Sequence, residues 1–173
     1  MYLPKNLRER VDVLVRAQKH ITGMSEWKRT DYEGQWRWLS PLSIDGVLTN
    51  MNLIVDAYPR SSFIKFHINL IYMVSVQRLD YSEEDRHNNH SVKGVPFPAG
   101  ARLGWIYGPH CHRWEDNRTL ATGATLPKEL EFAVEMPQSA RGFDNAFRWF
   151  CGDANIVVAA NQMPVLPAKD TLL

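Results

Sequence analysis

Several things are scarce in this chain. Only two of its 173 residues are cysteine, Cys111 and Cys151, too few for a disulfide framework. Net charge is +1, so no whole-molecule basic field points to nucleic acid, although a local basic patch stays open. No uncharged apolar stretch reaches the roughly 18 residues that a transmembrane helix needs. Lys5, Arg8, Glu9, Arg10 and Asp12 break up the start of the chain, so no secretory leader is expected. Internal repeats and linkers of disordered composition are missing too. The expectation is a cytoplasmic, reduced protein with no membrane partner, folded as a single domain over 1–173.

Aromatic residues and histidine are well supplied. Six Trp and seven Phe can line a core, and they also furnish interfaces. Five of the six histidines fall between His67 and His112. Imidazole binds transition metals and moves protons near neutral pH without prior tuning. The competing reading is a set of surface and loop histidines with no shared role.

Periodicity outlines the fold. Leu3, Leu7, Val11, Leu14, Gln18 and Ile21 fall on one stripe, which predicts a helix over 3–21 with Pro4 in its first turn and Gly23 as its stop. On that reading His20 sits at a helix end, where its interaction with the dipole is favourable. Two strands are expected near 35–47 and 48–58. Residues 63–79 read as one central strand buried on both faces. Residues 82–101 are polar and rich in Gly and Pro, which predicts a long loop. Residues 102–114 read as a strand around a Gly108-Pro109 turn, with a short strand at 132–134 and a helix over 140–151. The tail after Met163 carries Pro164 and Pro167 and reads as irregular. Together these predict an α+β fold: a curved, mostly antiparallel sheet with an N-terminal and a C-terminal helix packed on it.

Alternation along the central strand separates two faces. Ile64, Phe66, Ile68, Leu70, Tyr72 and Val74 point one way; Lys65, His67 and Asn69 form a polar stripe on the other. Such a stripe is solvated, paired or functional, because burying a lone charge is costly. Arg78 and Asp80 share a face and can pair. That pair is either an ordinary surface ion pair or a device in which Asp80 orients a histidine. His110 and His112 share a face in Gly108-Pro109-His110-Cys111-His112-Arg113, and Cys111 between them points away as a small buried apolar residue.

Two chemistries fit these residues. Cleavage of RNA by its own 2′-hydroxyl needs a base, an acid and a cation near the phosphorane. His67 and His112 are the candidate proton-transfer pair, with His110 and Lys65 as further catalytic candidates. Arg78, Asp80, Arg113 and Asn69 are candidate substrate-binding residues, with Trp105, Tyr107 and Trp114 placed to stack bases. This reading needs no cofactor. The other chemistry is a zinc site in which His110 and His112 are joined by His87, His90, Asp80 or Asp85. It requires His110, His112 and a loop histidine to converge.

A resemblance adds context. Val76-Gln77-Arg78-Leu79-Asp80, the His/Asn loop at 87–90, the Gly-Pro-His-x-His element at 108–112, Leu126-Pro127, and Phe147 through Asn155-Ile156 resemble an uncharacterised family of small bacterial and phage proteins. Two departures stand out: Gly152-Asp153-Ala154 separates Cys151 from Asn155-Ile156, and Arg113-Trp114 replaces an aromatic after the second histidine. A looser similarity is to TumE-like toxins of the RelE class of small ribonucleases. It implies RNA cleavage, with RNA and an antitoxin as partners. A third expectation is a non-enzymatic phage or mobile-element protein that inhibits a host defence complex through its tryptophans. That one predicts scattered histidines and an exposed aromatic patch.

Overall fold

A computed structural model describes residues 2–168. In chain order its elements are α1 (Leu7–Arg16), β1 (Lys19–Ile21), β2 (Lys28–Arg29), β3 (Trp36–Ile44), β4 (Val47–Ala57), β5 (Phe66–Tyr72), β6 (Val74–Tyr81), β7 (Arg86–Asn89), β8 (Gly104–Tyr107), β9 (His110–His112), α2 (Trp114–Asn117), β10 (Val134–Glu135), α3 (Phe143–Asp153) and β11 (Ile156–Val157). Eight strands form a sheet in the order β10-β9-β6-β5-β4-β3-β1-β11, and β2 joins it alongside β3. Every pairing in it is antiparallel except β1 with β11. Strands β7 and β8 form a separate two-stranded ribbon. The fold is α+β and mostly antiparallel, as the sequence predicts.

The first helix is shorter than its apolar stripe. The Asn6 side chain caps it by accepting from the Glu9 N–H at 3.1 Å, and it buries Val11 and Leu14. It ends at Arg16 because Ala17 turns extended and the chain enters β1, so His20 is a strand residue rather than a helix end. Lys19 closes the helix. Its fully buried ammonium donates to the carbonyls of Leu14 (3.0 Å), Val15 (2.7 Å) and Ala17 (2.7 Å). A cation there satisfies carbonyls that the helix leaves unpaired.

The stretch expected to be one strand over 63–79 is a hairpin. Strands β5 and β6 turn at Met73, which takes φ +61°. Gly or Asn usually marks such a turn, and neither is present, so the turn carries no local signature. Phe66, Ile68, Leu70 and Tyr72 are buried while His67, Asn69 and Ile71 are half-buried. The strand therefore has one closed face and one open face, where the sequence reading expected both to be closed.

The closed face is the core. Trp38, Val55, Ile68, Leu79 and Cys111 are directly paired across β3, β4, β5, β6 and β9, and all five are buried. Both longer helices add to the same cluster: Val11 and Leu14 from α1, and Phe143, Ala146, Phe147 and Phe150 from α3. Phe147 meets Trp38 edge-on at 6.0 Å, and Phe143 meets Phe66 edge-on at 5.0 Å. The region 102–114, expected to be one strand, is two strands in different sheets, with Gly108 at φ +78° between them. The loop expected over 82–101 contains β7.

Candidate functional site

Pairing register builds the site. Reading across the open face, one rung runs Arg37–Asp56–His67–Asp80–His110–Glu135, and another runs Leu39–Ile54–Asn69–Arg78–His112. Directly opposed residues of antiparallel strands hold their Cβ atoms about 5 Å apart. Residues distant in sequence thus become neighbours: Asp80 lies between His67 and His110, and Arg78 lies between Asn69 and His112.

Asp80 ties these side chains together. Its Oδ1 lies 2.6 Å from His67 Nδ1, and its Oδ2 accepts from Arg78 Nε at 2.8 Å. The same Oδ2 is 3.5 Å from His112 Nε2 and 3.6 Å from His110 Nε2. Burial alone would raise the Asp80 pKa. The His112 and His67 imidazoles beside it, with the Arg78 charge, outweigh it and hold the carboxyl well below the usual carboxylate range. Asp80 is an anion at any ordinary pH.

The ribbon brings the third member of a histidine cluster. One ring nitrogen each from His87, His110 and His112 lies within 4.8 Å of the others. His110 Nδ1 is 2.9 Å from the Gly108 carbonyl, and His87 Nε2 is 2.9 Å from the Glu131 carbonyl. Carbonyls only accept, so both of these nitrogens carry protons. His110 Nε2 and His87 Nδ1 are left with lone pairs when the rings are neutral. His112 is fully buried, and its Nδ1 has no hydrogen-bond partner. Burial pushes the His112 pKa down to about 4 and lowers that of His87 as well, so both rings are neutral near pH 7. Neutral imidazoles with one N–H anchored on a carbonyl are the form that ligates metal. An all-imidazole donor set would suit a borderline divalent ion such as zinc.

Beside the cluster lies an open cleft of about 430 Å³. Asp56, His67, Asn69, Arg78, Asp80, Asp85, Arg86, His87 and His110 line it. Asp56 is held by a two-pronged Arg37 pair at 2.7 and 2.9 Å. Asp85 brings a buried Oδ2 with no partner. No family model, curated protein or solved structure matches this chain.

The sequence candidates divide into two groups. His67, Asn69, Arg78, Asp80, His110 and His112 come together. Lys65 does not: its ammonium lies 5.6 Å from the Tyr58 ring, beside a different pocket lined by Phe63, Ile64 and Leu166. Arg113 is engaged by Asp116 (2.8 Å) and Glu115 (3.1 Å). Trp114 is buried and donates its indole N–H to Asp12 at 2.8 Å, so it cannot stack a base. Trp105 is exposed on the ribbon. His90 is exposed and stays out of the cluster, 3.7 Å from the Glu131 carboxylate.

Sequence reasoning did not single out Asp56 or Arg37, and it named His87 only as one of four alternative zinc ligands beside His110 and His112. Alternation within β7 is the signal for His87, because it turns His87 and Asn89 inward and Arg86 and Asn88 outward. Asn89 then locks the ribbon down by exchanging hydrogen bonds with the Ala133 backbone, both at 2.8 Å.

Proposed function

We propose that this chain is a metal-dependent hydrolase in which His87, His110 and His112 hold a divalent transition ion, zinc first. The convergence of three imidazole nitrogens within 4.8 Å, two of the rings anchored through backbone carbonyls, carries this reading. It is the convergence that the zinc alternative requires. The inhibitor reading expects scattered histidines, which this cluster does not favour, and an exposed aromatic patch, which Trp105 and Tyr107 supply.

His87, His110 and His112 would hold the ion through their imidazole nitrogens, and a divalent ion bound there would supply an activated water near neutral pH. His67, fixed on Asp80 through Nδ1, keeps Nε2 for proton transfer at the cleft. Asp80 also lies within 3.6 Å of two of the ligand rings, which sets their orientation. The cleft is mixed in charge, with Asp56, Asp80 and Asp85 beside Arg78 and Arg86, and a phosphate ester is the substrate class proposed because the two guanidiniums can meet its oxygens.

RNA cleavage without metal keeps one supporting observation, the shared cleft of His67 and Arg78. Its second proton-transfer group is weak, because His112 is fully buried and neutral and so is poorly placed to exchange protons with a substrate. Elemental analysis of protein purified without a metal-affinity tag separates the two. One equivalent of zinc or another transition metal, lost in His110→Ala, is the expected result. Metal-free protein that also fails to take up zinc on titration would overturn the hydrolase reading.

A further inference from the structure

The geometry points to the outer face of the β7–β8 ribbon as a stacking platform for single-stranded nucleic acid, which feeds a phosphodiester toward the cleft. This inference rests on the hydrolase reading for its chemistry, but not for binding.

The ribbon has two different faces. Its inner face delivers His87, Asn89 and Ile106, the last two buried. Its outer face presents Arg86, Asn88, Trp105 and Tyr107, all exposed. Register sets Arg86 opposite Tyr107 and Asn88 opposite Trp105. The Trp105 and Tyr107 rings lie 6.4 Å apart and only 29° from parallel, and the Arg86 guanidinium lies 5.4 Å from the Trp105 ring centre. Trp105 keeps 46% of its surface exposed and Tyr107 keeps 71%. Two nearly parallel exposed aromatic rings, with a guanidinium over one of them, resemble the surface on which unpaired bases stack while Arg meets the adjoining phosphate. The Asn88 amide adds a donor and an acceptor for a base edge.

Position links this platform to the chemistry. Arg86 belongs to the outer face and also lines the cleft. His87, the next residue, points inward to the histidine cluster. One step along a strand is about 3.3 Å, so a strand with bases on Trp105 and Tyr107 passes its backbone across Arg86 at the cleft mouth.

Charge limits the footprint. Glu83, Glu84 and Asp85 lie beside Arg86 in sequence, and Arg102 is occupied by Glu135 at 3.1 Å and by the Trp105 carbonyl at 2.8 Å. Binding must therefore come mainly from stacking, with one or two phosphates engaged. Its salt dependence should be shallow, with a log–log slope near −1, since each single-strand phosphate contributes about 0.7.

The test is fluorescence titration of full-length protein with hexameric oligo-rU and oligo-dT, and with a duplex of the same length. Wild type should bind both single strands. Tighter binding of rU would identify RNA as the ligand, and equal binding would assign single strands of either sugar. Trp105→Ala and Tyr107→Ala should each weaken binding at least about fivefold with circular dichroism unchanged, and Arg86→Gln should flatten the salt slope. No single-strand binding at low salt, equal binding of the duplex, or full affinity in both aromatic variants would overturn the inference. Chelator-treated protein and His110→Ala should bind oligonucleotide as wild type does. Wild-type protein that binds oligonucleotide but takes up no zinc on titration would therefore count against the hydrolase reading alone.

Discussion

Asp80 shows how much one residue can organise. It takes His67 and Arg78 as direct partners and lies within 3.6 Å of His110 and His112. Asp80→Asn keeps the shape and removes the charge. Metal affinity should fall about 10- to 100-fold, as for other changes behind metal ligands, measured by competition with a chromogenic chelator. Affinity equal to wild type would remove Asp80 from that role. At this scale much was legible. Period-two alternation put His67 with Asn69, Arg78 with Asp80, and His110 with His112. His87 was legible only as one zinc-ligand candidate among His90, Asp80 and Asp85, because the choice depends on how a ribbon folds back over another sheet, and local spacing does not encode that. Lys65 shares the parity of His67, but it precedes β5 and sits against Tyr58, beyond the reach of the alternation rule.

Elements are held at their ends by polar side chains. Lys19 gathers three carbonyls at the close of α1. Burial brings its pKa down to about 8, yet those carbonyls still reward the ammonium near pH 7. Lys19→Met should cost about 3 kcal/mol in urea unfolding, because it strands buried acceptors of a charged donor; a loss within error would mean that the helix end reorganises freely. Asp12 on α1 accepts from Trp114 at 2.8 Å and from Arg118 Nε at 2.9 Å, and it also meets Arg118 Nη2. Burial alone would raise the Asp12 pKa, but the Arg118 and Trp114 hydrogen bonds more than reverse it. The folded state therefore binds this proton more weakly than the unfolded chain does. The contribution is complete above the unfolded value, near pH 4, and fades as pH falls through the folded value. Asp12→Asn should be less stable than wild type by about 1–2 kcal/mol at pH 7, with the gap closing under acid; a gap independent of pH would argue against the charge. The strand pairs β3–β4 and the helix near the C-terminus were readable from apolar spacing. The Met73 turn was not, since neither Gly nor Asn marks it.

At the scale of the whole molecule one large buried cluster dominates the described residues, with Ile106, Leu130, Phe132 and Ala133 buried outside it. Residues from α1, α3 and the paired strands β3 to β6 and β9 belong to a single buried cluster, and the site rests on the opposite face of the same strands. Calorimetry should give one transition, with equal van't Hoff and calorimetric enthalpies; a separate early transition would mean that the ribbon or a helix melts on its own. Among the described residues no helix is long and apolar enough to cross a membrane. Fold class was legible at this scale because helical and strand periods occupy different parts of the chain. The parallel β1–β11 contact was not, as it joins residues 19–20 to 156–157 and leaves no local mark.

The alternation that gathers His110 and His112 on the open face sends Cys111 to the other side. There it is fully buried in the core, and burial raises its thiol pKa well above the ordinary value. Cys151 is buried as well, with its thiol pushed up to about 12. Both sulfurs are thus shut away in the native state, and alkylating reagents can reach them only when the sheet and α3 part. The pair is a built-in clock for opening of the core: the rate at which iodoacetamide labels the chain reports how often the molecule comes apart.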